Sequence, residues 1–412
     1  NVATTGSFTI PLMREHGVPP RFAAATESVA STGGQILPPI MGTAAFLMAD
    51  ILGVPFAEIA IAGVIPAFLF YVGTAVGVHF TVVGNGWYDE DADYVGESDV
   101  DDRVSVDVDS ASEGSFVLRG LQYIVPVIVL VYVLIIEQFG PLAAGLYTIG
   151  AAVFARGVYQ LIQRNPREFV VETVRGLQTG GENLAPFLAI LASLGIVINI
   201  FSVTGLAQRI AFEMVDLAGG SFVLILVIAM VVSLLLGLGM PTPAAYILVA
   251  TILAPVLVQV GVTEMAAHFY IFYFALLSAL TPPVALAVTV AMSISRTDFV
   301  ETAKEALMLG APTYVIPFMF VLNPQLLQWN FPSTIVAVMF LIIATLALVI
   351  GLTGFNGSNH LGVSSRTLSL ALFVAIAFGP TTSVRAAAVA IFVALLVYTS
   401  DLVPLGGRKV NT

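Results

Sequence analysis

Long apolar runs separated by short polar stretches dominate the chain. A helix needs about 20 residues to cross the hydrocarbon core of a bilayer. Runs that approach this length cover residues 117–136, 184–200, 222–238, 335–352 and 384–398. Apolar and polar residues do not alternate along them, so the pattern excludes an outer-membrane barrel. It predicts an all-α integral membrane protein with several transmembrane helices.

Two further apolar runs are interrupted near the middle by a Pro-Pro pair. Residues 23–51 contain Pro38-Pro39, and residues 266–293 contain Pro282-Pro283. Proline lacks a backbone N–H donor and disfavours helical geometry in the residue before it, so each helix must break. Inside hydrocarbon, broken backbone is tolerated only where protein buries it or where it lines a watery cavity. Two broken helices at corresponding positions of two halves therefore predict the substrate and ion sites of a transporter.

A Gly- and Pro-rich stretch joins two other apolar runs. It covers residues 237–243, between residues 222–236 and 244–258. Such a cluster can turn the chain within the membrane, and we expect a re-entrant helical hairpin. Two ordinary spans joined by a loop are the alternative. In the first half of the chain only the returning arm of such a hairpin, residues 1–13, is present, so we expect further residues before Asn1.

The two halves of the chain form an internal repeat. Matches of Ala alone mean little in so apolar a chain, whereas Pro and Gly matches at one offset are informative. Without a gap, an offset of 244 residues places Gly17-Val18 on Gly261-Val262, Pro11 on Pro255, and Pro38-Pro39 on Pro282-Pro283.

The arginines predict how the repeat is oriented, because Lys and Arg favour the cytoplasmic side of a membrane. We place Arg14 and Arg21 on the cytoplasmic side. Three membrane crossings then separate the two copies, and because this number is odd, the second copy enters the membrane from the opposite face. The sequence therefore predicts an inverted repeat with a cytoplasmic C-terminus. The predicted regions are the C-terminal part of the first repeat (1–83), an acidic cytoplasmic loop (84–116), connecting transmembrane helices (117–220) that include an interfacial amphipathic helix at 165–178, the second, inverted repeat (221–324), and extra C-terminal transmembrane helices (325–412).

The amino-acid composition supports a membrane protein and argues against several other classes of protein. Of 412 residues, 58% are apolar and 10% are charged, far from the makeup of a soluble domain. Most of the net charge of −11 lies in residues 89–113, which we expect to form a solvated loop; a halophilic source would explain it too. The chain has no cysteine and no Walker-type loop, Gly-x-Ser-x-Gly elbow or His-Glu-x-x-His motif. We therefore expect neither an enzyme nor a nucleic-acid-binding protein.

Several motifs of the chain resemble those of a known family. They are Gly239-Met240-Pro241-Thr242-Pro243-Ala244-Ala245-Tyr246, residues 268–283, residues 317–324, residues 1–7, and Ser31-Thr32-Gly33-Gly34-Gln35. Together they resemble the fused membrane permease of tripartite ATP-independent periplasmic (TRAP) transporters, in particular the branch served by TAXI-type extracytoplasmic binding proteins. The resemblance covers residues 1–330, and residues 335–398 fit the extra C-terminal helices of fused forms.

The resemblance implies an elevator-type secondary transporter in the cell membrane, which imports a small organic anion by alternating access. It implies a sodium gradient as the driving force, with sodium as the coupling ion and no cofactor. The implied partners are a TAXI-type extracytoplasmic binding protein and a small membrane subunit, fused or separate. The family's Ser-rich hairpin tip would precede Asn1, so one ion site is assigned only in part.

The resemblance also implies where substrate and ions pass, namely at the hairpin tip and the two breaks. An unwound helix supplies carbonyl oxygens for sodium, and half-helix N-termini offer N–H groups to a carboxylate. The implied path-lining residues are Gly237, Gly239, Met240, Pro241, Thr242 and Pro243 at the tip, Ser31, Thr32, Gly33, Gly34, Gln35, Pro38 and Pro39 in the first break, and Ser278, Thr281, Pro282 and Pro283 in the second. Sodium would be held through Gly33, Gly34, Thr242, Ser278 and Thr281.

Polar side chains near the breaks admit more than one interpretation. Ser and Thr hydroxyls can bind sodium, or they can bond back to their own helix. Gln35 can orient the first break or contact the substrate. Glu27 lies one or two turns into a membrane helix, where ionisable residues are functional by default. It can couple the movement of protons or sodium, or it can reach water or pair with Arg21.

Other functions share some of these features. An ion channel or gradient-independent pore can have broken helices of the same kind, and it is the alternative function. A membrane-embedded enzyme is disfavoured because the sequence contains no catalytic constellation.

Overall fold

The computed structural model describes residues 1–39, 41–87, 113–162 and 166–400. These residues are helical apart from turns, loops and one isolated bridge between Phe355 and His360. Seven of the helices in these ranges are long and apolar enough to cross a membrane. The prediction of an all-α membrane protein is therefore confirmed. Most of the acidic loop predicted at 84–116 lies outside the described residues.

Most of the helices follow one another through short connections. In chain order they are α1 (Val2–Glu15), α2 (Pro20–Gly33), α3 (Thr43–Leu52), α4 (Phe56–Gly84), α5 (Glu113–Val131), α6 (Pro141–Ile162), α7 (Pro166–Thr204), α8 (Leu206–Leu217), α9 (Phe222–Gly237), α10 (Thr242–Gln259), α11 (Glu264–Leu277), α12 (Leu286–Ser295), α13 (Phe299–Leu322), α14 (Gln325–Gln328), α15 (Ser333–Thr353), α16 (Val363–Phe378) and α17 (Thr382–Thr399).

The helix bounds repeat at the offset that the sequence predicts. α2 and α11 are both 14 residues long, and both their first and last residues differ by 244. Each is followed by a short unwound stretch with a cis Pro-Pro peptide bond, at Pro38-Pro39 and at Pro282-Pro283. Both helix breaks are therefore present where the prolines predict them, and α3 and α12 resume after them.

The chain folds into two compact units. The first comprises Asn1–Ala44, Ile61–Glu90 and Gly205–Thr412, and the second comprises Ala45–Ala60 and Asp91–Thr204. The segment Ala45–Ala60, which includes most of α3, belongs to the second unit.

The two broken helices occupy the core of the first unit. α11 packs against α9, α10 and α13, and its Phe269, Phe272 and Phe274 are fully buried. Tyr270 is also buried and donates its hydroxyl to the carbonyl oxygen of Leu226 on α9 over 2.6 Å. α2 packs against α1, α12 and α13. Each break therefore follows a helix that its neighbours enclose.

Helices α5, α6 and α7 form most of the second unit. The Arg156 guanidinium on α6 donates to Glu172 on α7, with Nε to Oε2 at 2.9 Å and Nη2 to Oε1 at 2.7 Å. Its Nη1 donates to Gln122 Oε1 on α5 at 2.6 Å. These charge-assisted bonds join three helices whose outer apolar side chains are largely exposed.

The interfacial helix predicted at 165–178 is not a separate element. α7 runs without interruption from Pro166 to Thr204. The glycines at 176, 180 and 181 weaken a helix but do not end it, and no proline follows until Pro186. The amphipathic turns therefore continue directly into the apolar span. The next separate helix is α8. It begins after Gly205, whose backbone is in the left-handed conformation (φ 66°).

The C-terminal helices are joined to the second copy of the repeat. Arg385 on α17 donates from Nη1 to Oδ1 of the buried Asn323, which ends α13, over 2.9 Å. Within the C-terminal group, α15 and α16 pack together, and Arg366 donates from Nη2 to the carbonyl oxygen of Leu352 over 2.7 Å. That bond satisfies one of the carbonyls that the end of α15 leaves free.

Candidate functional site

The hairpin tip and the second break are in contact. The Ser278 hydroxyl, at the start of the break, donates to the carbonyl oxygen of Gly237 over 3.0 Å and to that of Ala275 over 2.6 Å. There is no room for a side chain at Gly237, since a Cβ there would lie 2.7 Å from Ser278 Oγ. Glycine therefore permits the last turn of α9 to approach the end of α11.

The tip itself is a tight turn between two helices. α9 ends at Gly237 and α10 begins at Thr242, and the turn includes Gly239 with a φ of 71°. Positive φ at Gly239 costs little because glycine has no Cβ. α9 and α10 pack against each other, which makes the two helices a hairpin. Met240, Thr242 and Pro243 are half-buried at this tip, and Pro241 is exposed.

A tyrosine that the sequence did not single out completes the second break. Thr281 Oγ1 donates to the carbonyl oxygen of Leu277 over 2.8 Å and lies 2.8 Å from the Tyr314 hydroxyl of α13. Tyr314 falls on Phe70 at the repeat offset of 244, so its hydroxyl is a difference between the copies. This difference could have identified Tyr314 from the sequence. A buried hydroxyl that is present in only one of the two copies needs a hydrogen-bond partner there.

The first break is closed by its own backbone. The N–H of Gly42 donates to the carbonyl oxygen of Gln35 over 2.8 Å, and a Cβ at Gly42 would lie 3.3 Å from Gln35 Oε1. Gln35 therefore packs against the far side of its own loop. Gly33 is buried and tightly enclosed, since a Cβ there would lie 2.5 Å from Cε1 of Phe70.

Thr32 and Ser31, which end α2, use their hydroxyls in different ways. Thr32 Oγ1 donates to the carbonyl oxygen of Ser28 over 2.7 Å, so it bonds back to its own helix. Ser31 Oγ donates to Glu27 Oε1 over 2.5 Å. A hydroxyl that donates its single hydrogen still has lone pairs for a cation, so these bonds leave coordination by Thr32 possible.

Glu27 is buried among hydroxyls. Its side chain is only 6% exposed, and Thr5, Thr9 and Ser31 all donate to its carboxylate. Thr5 and Thr9 lie on α1 and were not predicted; their spacing of four residues, which places both on one helix face, was the available signal. Packing against α1 covers most of the Glu27 side chain, so it does not extend into solvent.

The alternative pairing of Glu27 with Arg21 is wrong. Arg21 lies 3.7 Å from Glu301 (Nη1 to Oε2) and 3.4 Å from Glu305 (Nε to Oε1), both on α13. Side chains meet along a helix at spacings of three or four, and Arg21 and Glu27 are six residues apart. The guanidinium therefore lies on another face of α2.

The predicted residues thus form two local groups. One joins the hairpin tip to the second break through Gly237, Ser278 and Thr281, and the other lies at the end of α2 around Ser31 and Glu27. α2 also reaches the helix after the second break, since Ser28 Oγ donates to the carbonyl oxygen of Ala287 over 3.3 Å. Among the described residues there is no cluster of three or more His, Asp or Glu side chains that could hold a metal ion. A cation at the tip would therefore be held by carbonyl and hydroxyl oxygens.

Two cavities lie away from the breaks. One of about 730 Å³ is lined mainly by apolar residues of α4, with Thr26 and Ala30 of α2. Another, of about 200 Å³, is lined by Arg21, Trp87 and Glu305 among others. The break residues line neither cavity, so neither is the predicted substrate path.

Sequence comparison agrees with the arrangement of breaks and hairpin. The family model described as "Tripartite ATP-independent periplasmic transporter, DctM component" matches residues 1–335. The match includes both breaks, the hairpin tip and both copies of the repeat, and it ends at the start of α15. A search of curated proteins found no match. The chain therefore belongs to the DctM component family of tripartite ATP-independent periplasmic transporters and is a membrane permease of such a transporter.

Proposed function

We propose that this permease is a secondary active importer, driven by a sodium gradient, of a small organic acid anion that an extracytoplasmic binding protein delivers. Family membership implies a binding protein and a small membrane subunit as partners. The motif resemblance supports a binding protein of the TAXI type and a fused form of the permease. A neutral path without charged side chains suits an anion that is bound by half-helix N-termini.

The observation that carries this proposal is the bond between the Ser278 hydroxyl and the Gly237 carbonyl. It brings together a hairpin tip and a helix break, both of which contribute carbonyl and hydroxyl oxygens without placing a charge in the membrane. Carbonyl and hydroxyl oxygens are the ligands that hard cations such as sodium prefer. We assign the sodium ligands to Gly33, Gly34, Thr242, Ser278 and Thr281.

Alternating access in this proposal rests on the repeat. The equal bounds of α2 and α11 support two copies, and the arginines of the sequence support their opposite orientation and a cytoplasmic C-terminus. Two inverted copies around one site give two related conformations of similar energy, open to opposite sides. In the elevator form, the hairpins and the broken helices move together with the substrate.

The experiment that tests this function is uptake by proteoliposomes that contain the complete permease. Candidate organic acids and the binding protein are supplied outside, and a sodium gradient is imposed or collapsed. Uptake that requires both the gradient and the binding protein supports the proposal. Flux that persists without either one would contradict it and would favour the alternative, a channel or pore.

A further inference from the structure

Glu27 is a buried carboxylate that the proposed sodium and substrate sites do not use. It lies in the middle of α2, and α1 covers it closely: a Cβ on Gly6 would lie 3.2 Å from Glu27 Cγ. Ionisable residues inside a membrane are costly and are therefore functional by default. The chemistry of its neighbours indicates what Glu27 binds.

The hydroxyls around Glu27 can satisfy it in two protonation states. As a carboxylate, it accepts from Thr5 and Ser31 at Oε1 and from Thr9 at Oε2, the last two over 2.5 Å. Thr9 Oγ1 also lies 3.0 Å from the carbonyl oxygen of Thr5. A neutral Glu27 can therefore donate from Oε2 to Thr9, while Thr9 turns its own hydrogen to that carbonyl. Every polar atom of the cluster keeps a hydrogen-bond partner in both protonation states. Neither state therefore has the energetic cost of an unsatisfied buried polar group.

Among the described residues, no positively charged side chain pairs with Glu27. Arg21, on the same helix, is engaged by Glu301 and Glu305 of α13. α12 carries no charged residue, and no salt bridge involving Glu27 occurs among the described residues. The other titratable side chains on the elements packed against α2 are Arg14 and Glu15 at the end of α1, His16 after it, Lys304 and Tyr314 on α13, and Glu58, Tyr71 and His79 on α4.

The oxygen spacings within this cluster are those of hydrogen bonds. Cations of the size of sodium or calcium sit about 2.3–2.6 Å from each oxygen ligand, which sets neighbouring ligand oxygens roughly 3.3 Å apart. The hydroxyl oxygens of Thr9 and Ser31 lie 2.5 Å from the carboxylate oxygens that they contact. Such distances are typical of charge-assisted O–H···O bonds. A proton fits this space without moving any oxygen.

We propose that Glu27 is a proton-binding site, formed with Thr5, Thr9 and Ser31, that takes up and releases one proton in each transport cycle. In the uptake step, a proton from water bonds to Oε2 of Glu27, and the Thr9 hydrogen turns from Oε2 to the Thr5 carbonyl oxygen. In the release step both changes reverse, and the proton returns to water. Thr5 is the most exposed member of the cluster among the described residues. This inference rests on the proposed function, to which it adds a proton as a second coupled ion.

The first test is proton movement coupled to substrate. The complete permease is placed in proteoliposomes with a pH-sensitive dye inside, and substrate with binding protein is added outside. The matched control is Glu264→Gln, an exposed carboxylate in the first turn of α11, the repeat partner of α2. We expect about one proton to accompany each substrate in the wild type and in the control, and none in Glu27→Gln. Equal proton movement in Glu27→Gln, or none in the wild type, would overturn the proposal.

A second test does not depend on transport, so it separates failure of this proposal from failure of the proposed function. Infrared difference spectra of the purified permease are recorded as pH changes in heavy water. A buried carboxyl that exchanges slowly should titrate in the wild type and in Glu264→Gln and should be absent in Glu27→Gln. A titratable carboxyl band of the same size in Glu27→Gln as in the wild type would overturn the proposal even where no substrate moves.

Discussion

The Ser278 hydroxyl donates to the carbonyl oxygen of Gly237 over 3.0 Å, so that the start of the second helix break is joined to the end of the first hairpin arm. Ser278 is buried, and the same hydroxyl reaches the carbonyl of Ala275 over 2.6 Å. In the proposed function, an ion bound at either element would therefore act on the other through this side chain. The geometry of the tip should accordingly control sodium activation.

Gly237→Ala tests this control directly. The new Cβ would lie 2.7 Å from Ser278 Oγ and 2.9 Å from Ser278 Cβ, so the tip must shift away from the break. Overpacking of this kind costs about 1–3 kcal/mol of stability. We expect sodium-dependent uptake to fall at least about tenfold, with a higher sodium concentration for half-maximal rate. Uptake as a function of sodium, with thermal unfolding in detergent, measures both effects.

The control for this variant is Gly195→Ala, in a helix position with open space around it. It should leave uptake unchanged. Adding Ser278→Gly to Gly237→Ala removes the clashing atoms and should recover stability, whereas sodium activation should stay impaired because the hydroxyl is lost. Full recovery of sodium activation in that double variant would show that the hydroxyl is not part of the site.

Thr281→Val tests the hydroxyl of the second break. The substitution keeps the shape of the side chain and removes an oxygen that lies 2.8 Å from the Tyr314 hydroxyl. Loss of one oxygen ligand should raise the sodium concentration for half-maximal uptake roughly tenfold, and Thr242→Val should act in the same direction. Thr251→Val is the matched control on α10, because its exposed hydroxyl bonds only to its own helix at Ile247 among the described contacts. Unchanged sodium dependence in both Thr281→Val and Thr242→Val would remove these hydroxyls from the site.

Gly33→Ala tests how tightly the end of α2 is packed. A Cβ would lie 2.5 Å from Cε1 of Phe70, which is fully buried on α4. We expect a loss of about 1–3 kcal/mol in unfolding free energy, because the ring has no space to move. Combining it with Phe70→Leu should recover part of this loss, with a coupling energy of about 1 kcal/mol or more between the sites. Strictly additive losses in detergent unfolding would show that the ring accommodates the extra carbon.

The positions of the helix breaks could be predicted because local chemistry decides them. A Pro-Pro pair prevents a helix from continuing wherever it lies, so α2 and α11 end before Pro38 and Pro282 regardless of their neighbours. The hairpin turn at Gly239 follows from the same local logic. The repeat also needed only the sequence, since equal spacing of Pro and Gly gives equal helix bounds.

The partners of buried polar groups could not be predicted, because tertiary packing chooses them. The sequence suggested Arg21 as a partner of Glu27, whereas in the structure Thr5 and Thr9 of α1 donate hydrogen bonds to it. The choice depends on which face of α2 meets α1, and periodicity in so apolar a sequence does not specify that face. The continuity of α7 escaped prediction for a related reason, since the glycines between its two halves are compatible with a loop and with a helix.

Arg385 and Asn323 provide the last prediction, on how the C-terminal helices are held. Arg385 Nη1 donates to Asn323 Oδ1 over 2.9 Å, and Asn323 Nδ2 donates to the carbonyl oxygen of Met319 over 2.8 Å. Arg385→Met leaves the buried Oδ1 without this donor, which should cost about 1–3 kcal/mol in unfolding free energy. Arg209→Met, at an exposed position of α8, is the control and should change stability by less than about 0.5 kcal/mol.

Asn323→Leu completes the cycle, because it removes the acceptor and keeps similar bulk. If the contact joins α17 to α13, the double variant should lose less stability than the sum of the two single variants, with a coupling of about 1–2 kcal/mol. Additive losses would mean that each residue acts through its own backbone contacts, such as the bond from Arg385 Nε to the carbonyl of Gly379. Since α13 carries Tyr314 beside Thr281, a coupled contact would also connect the helices beyond residue 335 to the element that supports the second break.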